Sequence, residues 1–234
     1  MNLIALETST RRLSVALWLD GELVERAEEI PNGGSERLLP WVTELLADAG
    51  MGFKDVDGIA FGAGPGGFTG LRLACGVAQG LAFGLDLPVL GVSSLEALAM
   101  TAYSRTTEPE RIFACLDARM GEVYCAAYLI REDVSATLLP PAVMPPQLAS
   151  VPSDLYGQAW IGCGEGFISY PDLLEPHLTE VRGDCWPTAA AVACLAAPRL
   201  SRGEGVSAGL AAPLYVRDKV ALTTAERLAR GGLK

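Results

Sequence analysis

Gly62-Ala63-Gly64-Pro65-Gly66-Gly67-Phe68-Thr69-Gly70-Leu71-Arg72 places five glycines between two apolar runs. The first, Val56-Asp57-Gly58-Ile59-Ala60-Phe61, has the length and flanks of a buried strand, and the second, from Thr69 to about 84, has those of a helix. Glycines in such a loop permit positive φ and close backbone approach, and the helix N-terminus behind them attracts anions. The loop lacks the Gly-Lys-Ser/Thr ending of a P-loop, and Pro65 breaks the spacing of a dinucleotide fingerprint. Two readings stay open: a phosphate cradle, or a loop and helix packed tightly on another surface. The helix is small or apolar almost all round, so both its faces should be covered. Gly70, Ala74, Val77, Ala78 and Leu81 form a smooth stripe. One face would meet a sheet, and the other either a second protein or the second half of the chain.

Outward from this segment the pattern is α/β. Leu3–Leu6 and 13–19 read as strands, Asp20-Gly21 as a hairpin turn, and 22–26 as a third strand. Ser35 is the expected N-cap of a helix over 36–49, with Leu38, Val42, Leu45 and Ala49 on one face, Leu39 and Leu46 beside them, and Gly50 ending it. A strand at 88–92 leads to a helix in which Ser93 and Glu96 would form a capping box. After a polar boundary at 104–109 a similar opening returns: a strand at 111–117, a hairpin partner at 122–129, a Pro-rich connection from Pro140 to Pro152, a short strand at 160–164, and an alanine-rich helix from Pro187-Thr188 to about Ala197. Strands first, then alternating helices and strands, predict mixed sheets in two α/β lobes.

The 234 residues carry 18 Lys and Arg against 28 Asp and Glu, a net charge of −10, with half the residues hydrophobic. That composition supports a buried core and argues against the chain gripping nucleic acid by itself. His177 is the one histidine, which excludes any site needing two. The six cysteines have no Cys-x-x-Cys spacing and read as buried thiols, not as metal or redox ligands. No stretch reaches about 20 uninterrupted apolar residues, so a soluble protein is expected.

The run Gly62-x-Gly64-Pro65-Gly66-x-Phe68-Thr69-Gly70-Leu71-Arg72 resembles the signature of the bacterial TsaB (YeaZ) family. Further matches are Thr8-Ser9-Thr10 with 14–17, Arg37-Leu38-Leu39-Pro40, Ser94-Leu95-Glu96-Ala97-Leu98-Ala99, Asp117-Ala118-Arg119-x-x-Glu122-Val123-Tyr124 and Pro213-x-Tyr215-x-Arg217. Three positions depart from the family: Gly67 where Ser is common, Glu7 where Asp is common, and Gly34-Ser35 where His-Ser or His-Thr is frequent. The resemblance implies a two-lobed α/β fold of the actin/Hsp70/sugar-kinase-like kind. The polar boundary divides these lobes into 1–104 and 105–217, and a helix at about 218–230 is expected to pack back on the first. The implied role is a non-catalytic subunit that pairs directly with its paralogue TsaD, assembles with the ATPase TsaE, and serves a complex that transfers threonylcarbamoyl to the adenosine beside the anticodon of tRNAs. The same resemblance implies tRNA contact only through the complex, a homodimer when alone, a cytoplasmic location without membrane contact, no metal, no tightly bound cofactor, and ATP or ADP mainly in the complex.

The expected partner surface joins the two helices through Leu38, Leu39, Val42, Leu45, Leu71, Ala74, Val77 and Ala78, so that Ala74→Glu or Val77→Glu should break pairing without unfolding the chain. A competing reading is an ATP-dependent small-molecule kinase or nucleotide hydrolase, in which Thr8, Ser9, Thr10 and Gly162-Cys163-Gly164 contact phosphates and Asp117 or Glu7 positions magnesium. Peptidase chemistry has neither a metal pair nor a credible triad. Asp117, Arg119 and Glu122 read first as a salt-bridged hairpin, and Tyr215 and Arg217 as packing and capping residues.

Overall fold

Alternating apolar residues from Asn2 to Glu29 build a meander of β1 (Asn2–Glu7), β2 (Arg12–Leu19) and β3 (Glu22–Glu29). Asp20 and Gly21 close its hairpin with φ of 48° and 105°, the positive values that match the strand twist. The computed structural model describes residues 1–30, 34–106, 108–132, 134–173 and 177–217. β4 (Gly58–Gly64), wholly buried, and β5 (Val89–Ser93) add parallel to β1, giving the order β3-β2-β1-β4-β5. α1 (Ser35–Asp48) and α2 (Phe68–Leu85) lie on one face of this sheet.

The second half repeats the plan. β6 (Glu110–Arg119), β7 (Glu122–Arg131) and β8 (Val134–Met144) form a meander, and β9 (Trp160–Cys163) and β10 (Leu178–Arg182) add in parallel, in the order β8-β7-β6-β9-β10. Two sheets of identical topology make the two-lobed actin/Hsp70/sugar-kinase-like architecture. α3 (Ser94–Ala102) packs on β6 and β7, whereas α5 (Ala189–Ser201), although it follows the second sheet in sequence, packs on β1 and β2 of the first. The pleat assigns residues to layers: Ile4 and Leu6 face α1 and α2, while Leu3 and Ala5 face a shared core with Leu95, Leu98, Val192, Leu195, Ala114 and Tyr128. A short α4 (Gly166–Ser169) lies beside β6 and β9.

The N-terminus of α5 is fixed from the first lobe. The amides of Ala189 and Ala190 donate to Ser14 Oγ and Glu25 Oε1, each at 2.8 Å, and that of Ala191 to Thr188 Oγ1 at 3.2 Å. The expected division at 104 therefore separates neighbouring elements in sequence but not the core, which both halves share.

Several local expectations are corrected. Gly34, at φ 94°, is the N-cap of α1 and Ser35 is its first residue, because the entry to the helix takes a left-handed conformation. Glu96 forms no capping box and instead pairs with Arg199 of α5. Pro140 and Pro141 lie within β8, an edge strand whose pairing with β7 shifts register there, so their missing amides cost no ladder bonds. The expected helix at about 218–230 lies outside the described residues.

Candidate functional site

A cleft of about 830 Å³ opens between the lobes. Its first-lobe wall is the β1–β2 turn, Thr8 to Arg11, with the glycine loop and the start of α2 from Pro65 to Leu71. Its second-lobe wall is Leu116 to Met120, Tyr124, Glu165 and Ser169, and the last described residues, Leu214 to Arg217, run along its mouth. Thr8, Ser9, Thr10, Asp117, Pro65, Gly66, Phe68, Thr69 and Gly70 are thus brought together, while Gly62, Gly64 and Arg72 lie behind or beside the lining.

The glycine loop is latched to the β1–β2 turn. Gly67 N–H donates to Ser9 O at 2.7 Å, and Thr8 Oγ1 donates to Gly70 O at 2.6 Å. A methyl group at Gly70 would overlap the Thr8 carbonyl oxygen, and one at Gly66 would sit 2.5 Å from that of Ser9. The glycines therefore serve close backbone contact. Of the candidate phosphate-binding groups, the Thr8 hydroxyl is engaged by Gly70 and Thr10 Oγ1 accepts from Arg12 N–H at 3.2 Å, whereas Ser9 Oγ is buried without a hydrogen-bond partner among the described residues. Gly162 and Gly164 are pressed against Phe167, Cys115 and Leu98 and do not line the cleft. Asp117 accepts from both the backbone and the guanidinium of Arg119, at 2.8 and 3.0 Å.

Glu7 is corrected from a magnesium ligand to a core residue. It is completely buried, accepting from Ser9 N–H at 2.6 Å and from the Ser94 hydroxyl at 3.0 Å, while Ser94 Oγ accepts from Gly64 N–H at 3.2 Å. A methyl at Gly62 would overlap its carboxylate. Burial pushes the Glu7 pKa up, and the Ser9 and Ser94 hydrogen bonds offset only part of this. The folded chain thus binds this proton more tightly than the unfolded chain. The resulting stabilisation is complete below the ordinary carboxylate pKa and is lost as pH rises through the raised one. Glu7→Gln should lose less melting temperature than the parent chain between about pH 5 and about pH 8. Parallel melting profiles for the two would contradict it.

Arg11, in the cation-bearing β1–β2 turn, also lines the cleft, as does Glu165, which was not apparent in the sequence as a site residue. Arg11 lies over the Trp186 ring at 4.6 Å, a contact that no local motif announces. Glu165 is half-buried and its pKa is raised by burial, countered by Arg11 and Arg119. Its only local signal was its place directly after the Gly162–Gly164 turn. Glu122 receives Arg217 at 2.6 Å, and Tyr215 OH accepts from Arg72 Nε at 3.1 Å, so both C-terminal residues hold the chain end in place.

The expected partner residues divide sharply. Leu38, Val42, Leu45, Ala74 and Ala78 are buried in the first lobe's own core, because the apolar stripe of each helix is the side that covers the sheet, and Leu71 is buried beside Gly64 where it lines the cleft. Leu39 is 47% exposed and Val77 half-buried. The outward face of α2 instead carries Gly76, Gly80 and Gly84 at four-residue spacing, all with open space around them, and Phe83 at 84% exposure. By length and composition α2 is apolar enough to cross a membrane, yet its inner side is packed as a core helix.

Among the described residues no group of three or more His, Cys, Asp or Glu side chains is placed to hold a metal. Comparison with known proteins agrees with the geometry. The family model for TsaD, tRNA N6-adenosine threonylcarbamoyltransferase, matches residues 32–152. The chain is 36% identical over 224 residues to the tRNA threonylcarbamoyladenosine biosynthesis protein TsaB of Escherichia coli K12, covering 94% of this chain and 96% of that one. It is 36% identical over 229 residues to the protein of the same name from Haemophilus influenzae, at 94% and 95% coverage. The crystal structure of YeaZ from Pseudomonas aeruginosa superposes with a TM-score of 0.85 at 43% identity, covering 92% of this chain and 99% of that one. A second crystal structure, of a Pseudomonas aeruginosa protein described as similar to peptidase YeaZ, gives 0.86 at the same identity and coverage. Duplicated sheets, a latched glycine loop and near-full-length similarity lead to one assignment: the chain belongs to the TsaB (YeaZ) family of tRNA threonylcarbamoyladenosine biosynthesis proteins.

Proposed function

We propose that the chain is a non-catalytic partner of TsaD in installing threonylcarbamoyl on the adenosine next to the anticodon, and that the outer face of α2 is the seat of pairing. The observation that carries this reading is the open row Gly76, Gly80 and Gly84 beside Phe83. Helix axes approach according to the side chains between them, and a row of glycines admits a partner helix at the short end of the usual range. Phe83, and Leu39 on α1, supply apolar area at the same lobe surface, at about 25 cal/mol per Å² buried. The same face serves a second copy when the partner is absent.

The Thr8 hydroxyl held by Gly70 and the Asp117–Arg119 pair support a role without chemistry of its own. A charge of −10 fits a subunit that leaves tRNA to TsaD, with TsaE joining the complex in the cytoplasm. The test is molar mass by size-exclusion chromatography with light scattering, for the chain alone and mixed with TsaD of the same organism. Replacement of a self-associated form by a stable mixed complex is expected. Failure to form that complex, with nucleotide and TsaE also present, would overturn the reading, and magnesium-dependent ATP turnover by the isolated chain would replace it.

A further inference from the structure

Residues 206–217 form a strap whose hydrogen bonds do not belong to either sheet's ladders beyond its first residue. Val206 and Val89 exchange two backbone hydrogen bonds of 2.8 Å at the edge of the first sheet. The strap then follows α2: Ala211 O accepts from Gln79 Nε2 at 2.9 Å, and Leu214 N–H donates to Ala63 O at 2.7 Å. The Tyr215 ring lies 6.0 Å from that of Phe68, over which the Arg72 guanidinium sits at 3.8 Å while donating to Tyr215 OH. The far end leaves the first lobe altogether. Arg217, largely buried, reaches Glu122 at the β6–β7 turn, the hairpin that forms the opposite wall of the cleft.

α2 therefore has the sheet on one side, the strap on a second and the glycine row on a third. Its flank is tied through the strap to the second-lobe hairpin, where Arg217 meets Glu122, the Met120 sulfur and the Tyr124 ring. Movement of that hairpin relative to the first lobe must either stretch the Arg217–Glu122 link or displace Tyr215 from Phe68 and Arg72. We propose that the strap couples the spacing of the lobes across the cleft to the partner surface of α2, so that pairing at the glycine row and docking of the strap favour one another. This rests on the reading of α2 as the partner face. Linkage makes the effect reciprocal: whatever loosens the strap weakens pairing, and pairing tightens the strap and its hairpin.

Amide hydrogen exchange on the full chain, free and bound to TsaD, together with binding affinity, tests this. Pairing is expected to slow exchange at 117–123 and 206–217 as well as on α2. Arg217→Gln and the milder Tyr215→Phe are each expected to weaken pairing at least threefold. In the Arg217→Gln complex the slowing at 117–123 should disappear while that on α2 persists, which direct coverage of the hairpin by the partner would not produce. Unchanged hairpin exchange on pairing, or unaltered affinity in both variants, overturns the coupling. Gly80→Glu separates this from failure of the reading beneath it: if that variant pairs normally, the α2 face is wrong and the coupling falls with it; if it alone abolishes pairing while the strap variants do nothing, only the coupling falls.

Discussion

Gly70→Ala is expected to cost about 3–5 kcal/mol, the range in which single substitutions disable folding. The added methyl would overlap the Thr8 carbonyl oxygen, which is backbone and cannot rotate away. Relief requires moving α2 off the β1–β2 turn, which would break the Thr8–Gly70 and Gly67–Ser9 hydrogen bonds and open the packing beneath Leu71 and Ala74. For a chain of this size the loss corresponds to a fall of about 10–15 °C in melting temperature. Gly76→Ala, six residues along the same helix, is the matched control. Its new methyl meets nothing within 4 Å, so the same chemical change should stabilise the fold by about 0.5–1 kcal/mol. Thermal melts of the pair check the argument, and a Gly70→Ala protein melting within a degree or two of the parent would refute the latch.

The second large effect is on assembly. Gly80→Glu should weaken pairing by about 100-fold or more, since it places a charge where a partner helix must approach most closely, at a desolvation cost of several kcal/mol. At concentrations where the parent chain is itself unpaired, the variant should melt at the same temperature or slightly higher, because a mid-helix glycine is the least favourable residue there apart from proline. Ala74→Glu does not serve this purpose. Ala74 has no exposed surface, so a carboxylate there would disrupt the core and abolish pairing for the wrong reason. Light scattering at matched concentrations reads the outcome, and normal pairing by Gly80→Glu would remove α2 as the interface.

The sequence exposed the fold well wherever local chemistry and tertiary placement agree. Asp20-Gly21, Gly50 and the glycine loop announce their turns because each needs a positive φ or a close backbone approach. β10 was missed, since Leu178–Arg182 is a charged, largely exposed edge strand with weak alternation. The prolines of β8 read as a loop because periodicity cannot reveal that a strand will lie at an edge. Helical periodicity found the helices, but the apolar stripes it picked out for a partner cover the chain's own sheet, and the outward glycine row proposed above as the docking side carries no hydrophobic signal. Thr8 and Asp117, read together as phosphate and magnesium contacts, do meet in one cleft, whereas the Gly162–Gly164 turn read with them does not line it, and the hydrogen bond that occupies Thr8 depends on Gly70, 62 residues away.

The crossing of α5 onto the first sheet also sets an order of events during synthesis. β1, β2 and β4 leave the ribosome long before α5, on the order of 100 residues later, and at roughly 5–20 residues per second that interval lasts roughly 5–20 s. During this interval the face bearing Leu3, Ala5, Ala16 and Ala60 has α3 beside it but lacks the cover that α5 supplies. A nascent chain of this design exposes a smooth, alanine-rich surface whose small side chains offer little to a wrong partner until α5 closes over it.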